Sequence, residues 1–125
     1  MSQLNALIIE DEDDLAVLFA EALQHADYHT TIARDGQQAR TLLETIRPGL
    51  VVLDLHLPQE SGVDILRFIR ANPALTHTRV MVASADDRSI KLVEDMADVT
   101  LVKPVAFTQL RDLAARFHGL EQRAA

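Results

Sequence analysis

The chain has 125 residues, no cysteine, 48% apolar and 25% charged residues, and a formal net charge of −7. That length suits one globular domain burying roughly two-thirds of its unfolded surface, and it leaves no disulfide framework or thiolate metal site. The acidic balance argues against direct nucleic-acid binding, which needs a cationic face. No apolar run is long enough for a bilayer span, and Met1 to Asn5 lacks the basic start and apolar core of a signal peptide. The expected setting is therefore cytoplasmic, with no membrane partner.

Ala6-Leu7-Ile8-Ile9 is a short apolar run, as expected of a buried strand, and it ends in the acidic run from Glu10 to Asp14. Asp13 or Asp14 is placed to cap a helix, because Leu15, Leu18, Phe19, Ala22 and Leu23 follow at helical spacing. Capping needs one acid and leaves Glu10 and Asp11 on the strand end. Tyr28 to Ala33 is interrupted by His29, Thr30 and Thr31 and reads as an edge strand. Arg34-Asp35-Gly36 turns the chain into a helix carrying Ala39, Leu42, Leu43 and Ile46, which Pro48-Gly49 stops.

Leu50-Val51-Val52-Leu53 then runs directly into Asp54, ahead of a loop marked by Pro58 and Gly62. An unbroken apolar run fits a strand buried on both faces, with Asp54 at its carboxyl end. Ser61 can cap a third helix bearing Val63, Leu66 and Ile69 or Phe68, ending near Asn72-Pro73. Val80 to Ala83 is a fourth strand ending in Ser84. A weaker helix follows from Asp86 to Met96, with Ile90, Val93 and Ala97 on one side. Val99 to Val102 is a fifth strand ending in Lys103-Pro104. Phe107, Leu110, Leu113, Ala114 and Phe117 make a last helical face, and the tail from Gly119 to Ala125 is expected to fray.

Alternating strands and helices imply an α/β fold: a doubly wound, five-stranded parallel sheet, flavodoxin-like, in the order 2-1-3-4-5. The domain is expected at residues 1–120, with a disordered tail at 121–125. All strand ends then lie on one edge, which gathers Glu10, Asp11, Asp54, Ser84 and Lys103. An Asp that merely ends a strand and begins a turn is common; four strand ends carrying reactive groups together are not. Three carboxylates without thiolates suit a hard divalent cation, and magnesium prefers few protein ligands plus water and phosphate oxygen. A carboxylate nucleophile beside a metal, an ammonium and a hydroxyl is a site for placing a phosphoryl group on Asp54.

At these residues the chain resembles the receiver domains of two-component response regulators. The resemblance covers nearly the whole chain and rests on Ile8-Ile9-Glu10-Asp11-Glu12, Leu53-Asp54-Leu55-His56-Leu57-Pro58 with Gly62, Ala83-Ser84-Ala85, and Val102-Lys103-Pro104. It implies that Asp54 accepts phosphate from a sensor histidine kinase or phosphotransfer protein and that Glu10 and Asp11 hold magnesium. The His56 backbone carbonyl would complete the protein ligands. Ser84 and Lys103 would contact the phosphoryl oxygens, and the Lys103–Pro104 bond would be cis. The partners implied are that kinase and a downstream effector protein, with a homodimer left open. Catalysis would be confined to the chain's own phosphorylation and dephosphorylation.

Two positions depart from the pattern. Receivers usually carry Tyr, Phe or His three residues before the lysine, where this chain has Thr100, and the Ser84–Lys103 segment is about one helical turn short. Output switching is therefore expected to be atypical. His25, His29, His77 and His118 are scattered and default to structure. The His56 side chain should overhang the site, and Asp86 either biases water access or caps the fourth helix. Leu92 lies off its helix's apolar face and suits a partner contact or plain exposure. Other readings compete. A haloacid-dehalogenase-type phosphatase needs a second Asp where His56 stands, and a flavodoxin needs a hydroxyl-rich loop where Glu10 to Asp14 would repel phosphate. A degenerate receiver, acting as a phosphorylation-independent interaction module, would not need the intact site residues.

Overall fold

The computed structural model describes residues 4–124, with side chains through residue 121. The apolar runs form β1 (Leu4–Ile9), β2 (Tyr28–Ala33), β3 (Leu50–Asp54), β4 (Arg79–Ser84) and β5 (Val99–Val102). Between and after them lie α1 (Asp13–Gln24), α2 (Gly36–Ile46), α3 (Gly62–Ala71), α4 (Asp87–Val93) and α5 (Phe107–Ala124). All pairings within this five-stranded sheet are parallel, and the order β2-β1-β3-β4-β5 is the expected one.

The central strands are buried on both faces, so their side chains divide between two cores. Ala6, Ile8, Leu50, Val52, Met81 and Leu101 pack with α1 and α5 residues such as Phe19, Leu23 and Phe117. Leu7, Ile9, Val51, Leu53, Val80 and Val82 pack with Leu43, Ile65, Leu66 and Ile69. Burying each such side chain stabilises the fold by roughly 1.5–3 kcal/mol before chain entropy is counted, which explains why β1 and β3 carry almost no polar residues.

Helix starts follow local side-chain chemistry. Asp35 accepts from the Gln38 amide (2.8 Å), Ser61 from the Val63 amide (3.1 Å) and Asp86 from the Arg88 amide (2.9 Å). The start of α1 differs from expectation. Glu12 holds the capping position without a side-chain cap bond, while Asp13 and Asp14 lie inside the first turn. Acids there are favoured by the helix dipole rather than by capping, and Asp13 pairs with Arg34. The fourth helix is short, as the sequence indicates: α4 has 7 residues and buries Ile90 and Val93.

The C-terminal end also departs from the sequence reading. Helix α5 continues past Gly119 to Ala124, and the Tyr28 hydroxyl donates to Glu121 Oε1 at 2.7 Å. The boundary expected at residue 120 thus falls inside a helix held by a long-range bond that periodicity does not reveal. Ala125 and residues 1–3, including the start of the segment read for a signal peptide, lie outside the described residues. Burial holds the Glu121 carboxyl above its ordinary pKa, and the Tyr28 bond only partly opposes it. Replacing Tyr28 by Phe leaves that half-buried carboxyl without its donor. Tyr28→Phe should cost about 1–2 kcal/mol, measured as a lower midpoint of urea unfolding.

Candidate functional site

A parallel sheet points every strand's carboxyl end the same way, and the expected residues meet there. Glu10 follows β1 and Asp54 ends β3; both are buried, at 1% and 4% exposure, while Asp11 is exposed. Carboxylate oxygens of Glu10, Asp11 and Asp54 lie within 4.8 Å of one another. Lys103, following β5, donates to Glu10 Oε1 at 2.8 Å and sits 3.5 Å from Asp54 Oδ1. The His56 amide donates to the same Asp54 oxygen at 3.0 Å, and the Glu12 amide reaches Glu10 Oε2 at 3.3 Å. No hydrogen bond from the described residues reaches Asp54 Oδ2.

Ser84 ends β4 fully buried, and its hydroxyl accepts from the Asp86 amide at 3.0 Å. The Lys103 amide donates to the Ser84 carbonyl at 2.9 Å, tying the ends of β4 and β5 together. The Lys103–Pro104 peptide is cis. Gly62 has a specific steric reason: a Cβ there would meet the Asp54 carbonyl oxygen and Leu55 Cα. Its amide bonds the Leu55 carbonyl at 2.9 Å, so the loop folds directly over the end of β3.

The charges do not balance. Burial pushes the Glu10 carboxyl up to about 7; the Asp54 charge adds to this, and the Lys103 bond and Glu12 amide only partly oppose it. Burial works to lower the Lys103 pKa, but the Glu10 bond and the Asp54 and Glu10 charges outweigh it, and the ammonium is held above its usual range. Both groups grip their protons more tightly, as expected where negative charge is in excess. An all-oxygen cluster short of positive charge fits a hard divalent cation such as magnesium. Glu10, Asp11 and Asp54 are the side chains that could hold it.

The "Response regulator receiver domain" family model matches residues 6–115. The chain belongs to that family. This receiver is 33% identical over 126 residues to the transcriptional regulatory protein TrcR of Mycobacterium tuberculosis, covering 99% of this chain and 48% of that protein. It is 33% identical over 118 residues to the DNA-binding response regulator MtrA of Mycolicibacterium smegmatis, covering 94% and 50% respectively. The receiver thus spans about half the length of these curated relatives. Among solved structures, the signal receiver domain of a putative Luxo repressor protein from Vibrio parahaemolyticus aligns with a TM-score of 0.82 at 27% identity, covering 98% of both chains. The receiver accordingly belongs to two-component signal transduction.

The other singled-out residues fall into structural places. His25 packs edge-on against Phe107, and His118 against Tyr28. Asp86 caps α4; the Arg88 amide and the Ser89 hydroxyl hold its carboxyl below the usual range. Leu92 is 70% exposed and lines a groove beside His56, Leu57 and Val63. A cavity of about 720 Å³ lies at the opposite edge of the sheet, away from this chemistry. Sequence reasoning missed the ion pair of Arg40 with Glu60, for which no motif or periodicity gives a signal.

A carboxyl whose folded pKa exceeds its unfolded value favours folding in its protonated form. The Glu10 contribution is therefore complete below about pH 4.5 and is lost as pH rises through about 7. In chelator, Glu10→Gln should match the parent near about pH 5 and exceed it at about pH 8 by on the order of 2 kcal/mol. Denaturant unfolding across pH reads this, and parallel profiles would contradict the charge imbalance.

Proposed function

We propose that this receiver accepts a phosphoryl group on Asp54 from a sensor histidine kinase or phosphotransfer protein and thereby changes its affinity for a downstream effector. One observation carries the reading. Lys103 and the His56 amide both engage Asp54 Oδ1, leaving Oδ2 of a buried, oriented carboxylate to react. Oδ2 attacks phosphorus, the phosphorus–nitrogen bond of the donor breaks, and the leaving imidazole nitrogen keeps the electron pair. Lys103 shifts from Glu10 toward the phosphoryl oxygens once the Glu10 charge is otherwise balanced. Ser84 turns its hydroxyl from the Asp86 loop to donate to the same group.

Magnesium, held by Glu10, Asp11, Asp54 and the His56 carbonyl, would offset charge on the transferring oxygens. The receiver's own catalysis is limited to forming and hydrolysing the Asp54 phosphate, and its setting is cytoplasmic. Incubation with acetyl phosphate and magnesium should add one phosphoryl mass by intact-mass measurement. Asp54→Asn, or chelation of the metal, should abolish the addition. Full labelling of the Asn variant would overturn the assignment.

Output follows from how thinly β5 is covered. Thr100 pairs with Val82 on the face toward α4, but Val102 on the same face is 56% exposed. Thr100 is small and β-branched, with few rotamers to exchange, so it cannot fill space vacated by Ser84. A ligand shifts an equilibrium only through contacts that differ between states. Those contacts lie at Ser84, Lys103 and the loop from Ala85 to Ser89, which begins α4. Phosphorylation should change hydrogen exchange between Ala85 and Met96 while Val99 to Val102 stays nearly constant. A change confined to the strand would contradict this.

A further inference from the structure

The loop after Asp54 is a small antiparallel hairpin, pairing His56 with Ser61 and Leu57 with Glu60. Its two corners are Pro58 and Gln59. Gln59 has φ of 66°, a backbone conformation usually left to Gly or Asn at the second corner of such a turn. Nothing in the Gln59 side chain favours that conformation, so the surroundings must hold it.

Two contacts converge on the next residue, and a third braces its partner. The Glu60 carboxylate pairs with Arg40, one helical turn into α2. Glu60 also lies against Gly36, the first residue of α2, where a Cβ would collide with its carboxylate. Arg40 in turn stacks 5.0 Å over the Phe68 ring of α3. The carboxylate is thus set in a notch that glycine creates, under a guanidinium braced by an aromatic ring. Lysine would supply the charge but neither the fork nor the stacking plane.

We infer that Arg40, Glu60 and the Gly36 notch form a latch that positions the hairpin backbone over Asp54. The inference rests on the proposed role of Asp54 and the His56 carbonyl. Leu57, the hairpin partner of Glu60, directly follows His56, whose amide orients Asp54 Oδ1 at 3.0 Å. Fixing Glu60 therefore fixes the peptide units on both sides of His56, including the carbonyl offered to the cation. Arg40 and Glu60 act through that backbone and are positioning residues. Neither is placed among the cation's ligands.

A partly exposed ion pair contributes little to global stability, which separates positioning from simple support of the fold. Arg40→Ala and Glu60→Gln should leave the melting temperature in chelator nearly unchanged. Each should speed hydrogen exchange at residues 56–60 and raise the magnesium concentration giving half-maximal labelling by roughly tenfold, as loss of support for metal ligands generally does. Arg40→Lys should recover only part of this. Gly36→Ala removes neither charge but fills the notch, and should reproduce both effects. Unchanged exchange at residues 56–60 in these variants would overturn the latch, as would faster exchange with an unchanged magnesium requirement. Magnesium binding is followed by its melting shift as well as by labelling. A parent chain that fails to label would overturn the phosphoacceptor reading, while exchange and the melting shift would still decide the latch.

Discussion

The Lys103 ammonium, 2.8 Å from Glu10 and 3.5 Å from Asp54, is the contact on which the site depends. Two buried carboxylates side by side would each suffer desolvation and the other's charge, and a lone buried ion costs several kcal/mol. One ammonium between them offsets part of both terms. Its position is set by the sheet: Val102 pairs with Ser84, and the Lys103 amide then bonds the Ser84 carbonyl at 2.9 Å. A register slip of one residue would turn the neighbouring side chains to the opposite face. The apolar pairing that fixes β5 against β4 therefore also fixes the charge at the sheet's edge.

Much of this edge was legible in the sequence because a parallel sheet converts a one-dimensional pattern into a cluster. Each strand reads as a short apolar run, and whatever polar residue follows must emerge on the common edge. Glu10, Asp11, Asp54, Ser84 and Lys103 needed no further information. The same reasoning failed where structure depends on contacts without a period. The sequence separation of Tyr28 and Glu121 is 93 residues, and that of Arg40 and Glu60 is 20. Neither pair lies in a repeating pattern, so fraying was expected where Tyr28 holds α5, and Glu60 was not singled out. At α1 the competing physics was local: an acidic run offers several caps, and backbone position, not residue type, selected Glu12.

The shortness of α4 affects more than its own helix. It covers β4 through Ile90 and Val93, and the chain turns back where the Met96 and Ala97 amides meet the Val93 carbonyl at 2.8 and 3.0 Å. Asp98 then donates its amide to the Val80 carbonyl and leads into β5. Val102, on the same face of β5 as Thr100, is 56% exposed, so little wall stands there against which a large side chain at position 100 would move. The small residue and the short helix are consistent with one another. A bulky aromatic there would have little to pack against.

The two edges of the sheet show why chemistry belongs to one of them. At the amino-terminal edge, Arg70 donates to the Met96 and Thr78 carbonyls and to Asp98 at 2.7 to 3.0 Å, while Tyr28 satisfies Glu121. Arg70 there has acceptors, and Asp98 and Glu121 have donors, so both acids that line the large cavity at that edge are already engaged. At the carboxyl edge, three acids crowd together with one ammonium paired to two of them, and both Glu10 and Lys103 hold protons more tightly than usual. A balanced network rigidifies the fold and has little left to offer a ligand. An unbalanced one, kept in place by the buried strands behind it, carries a standing preference for added positive charge.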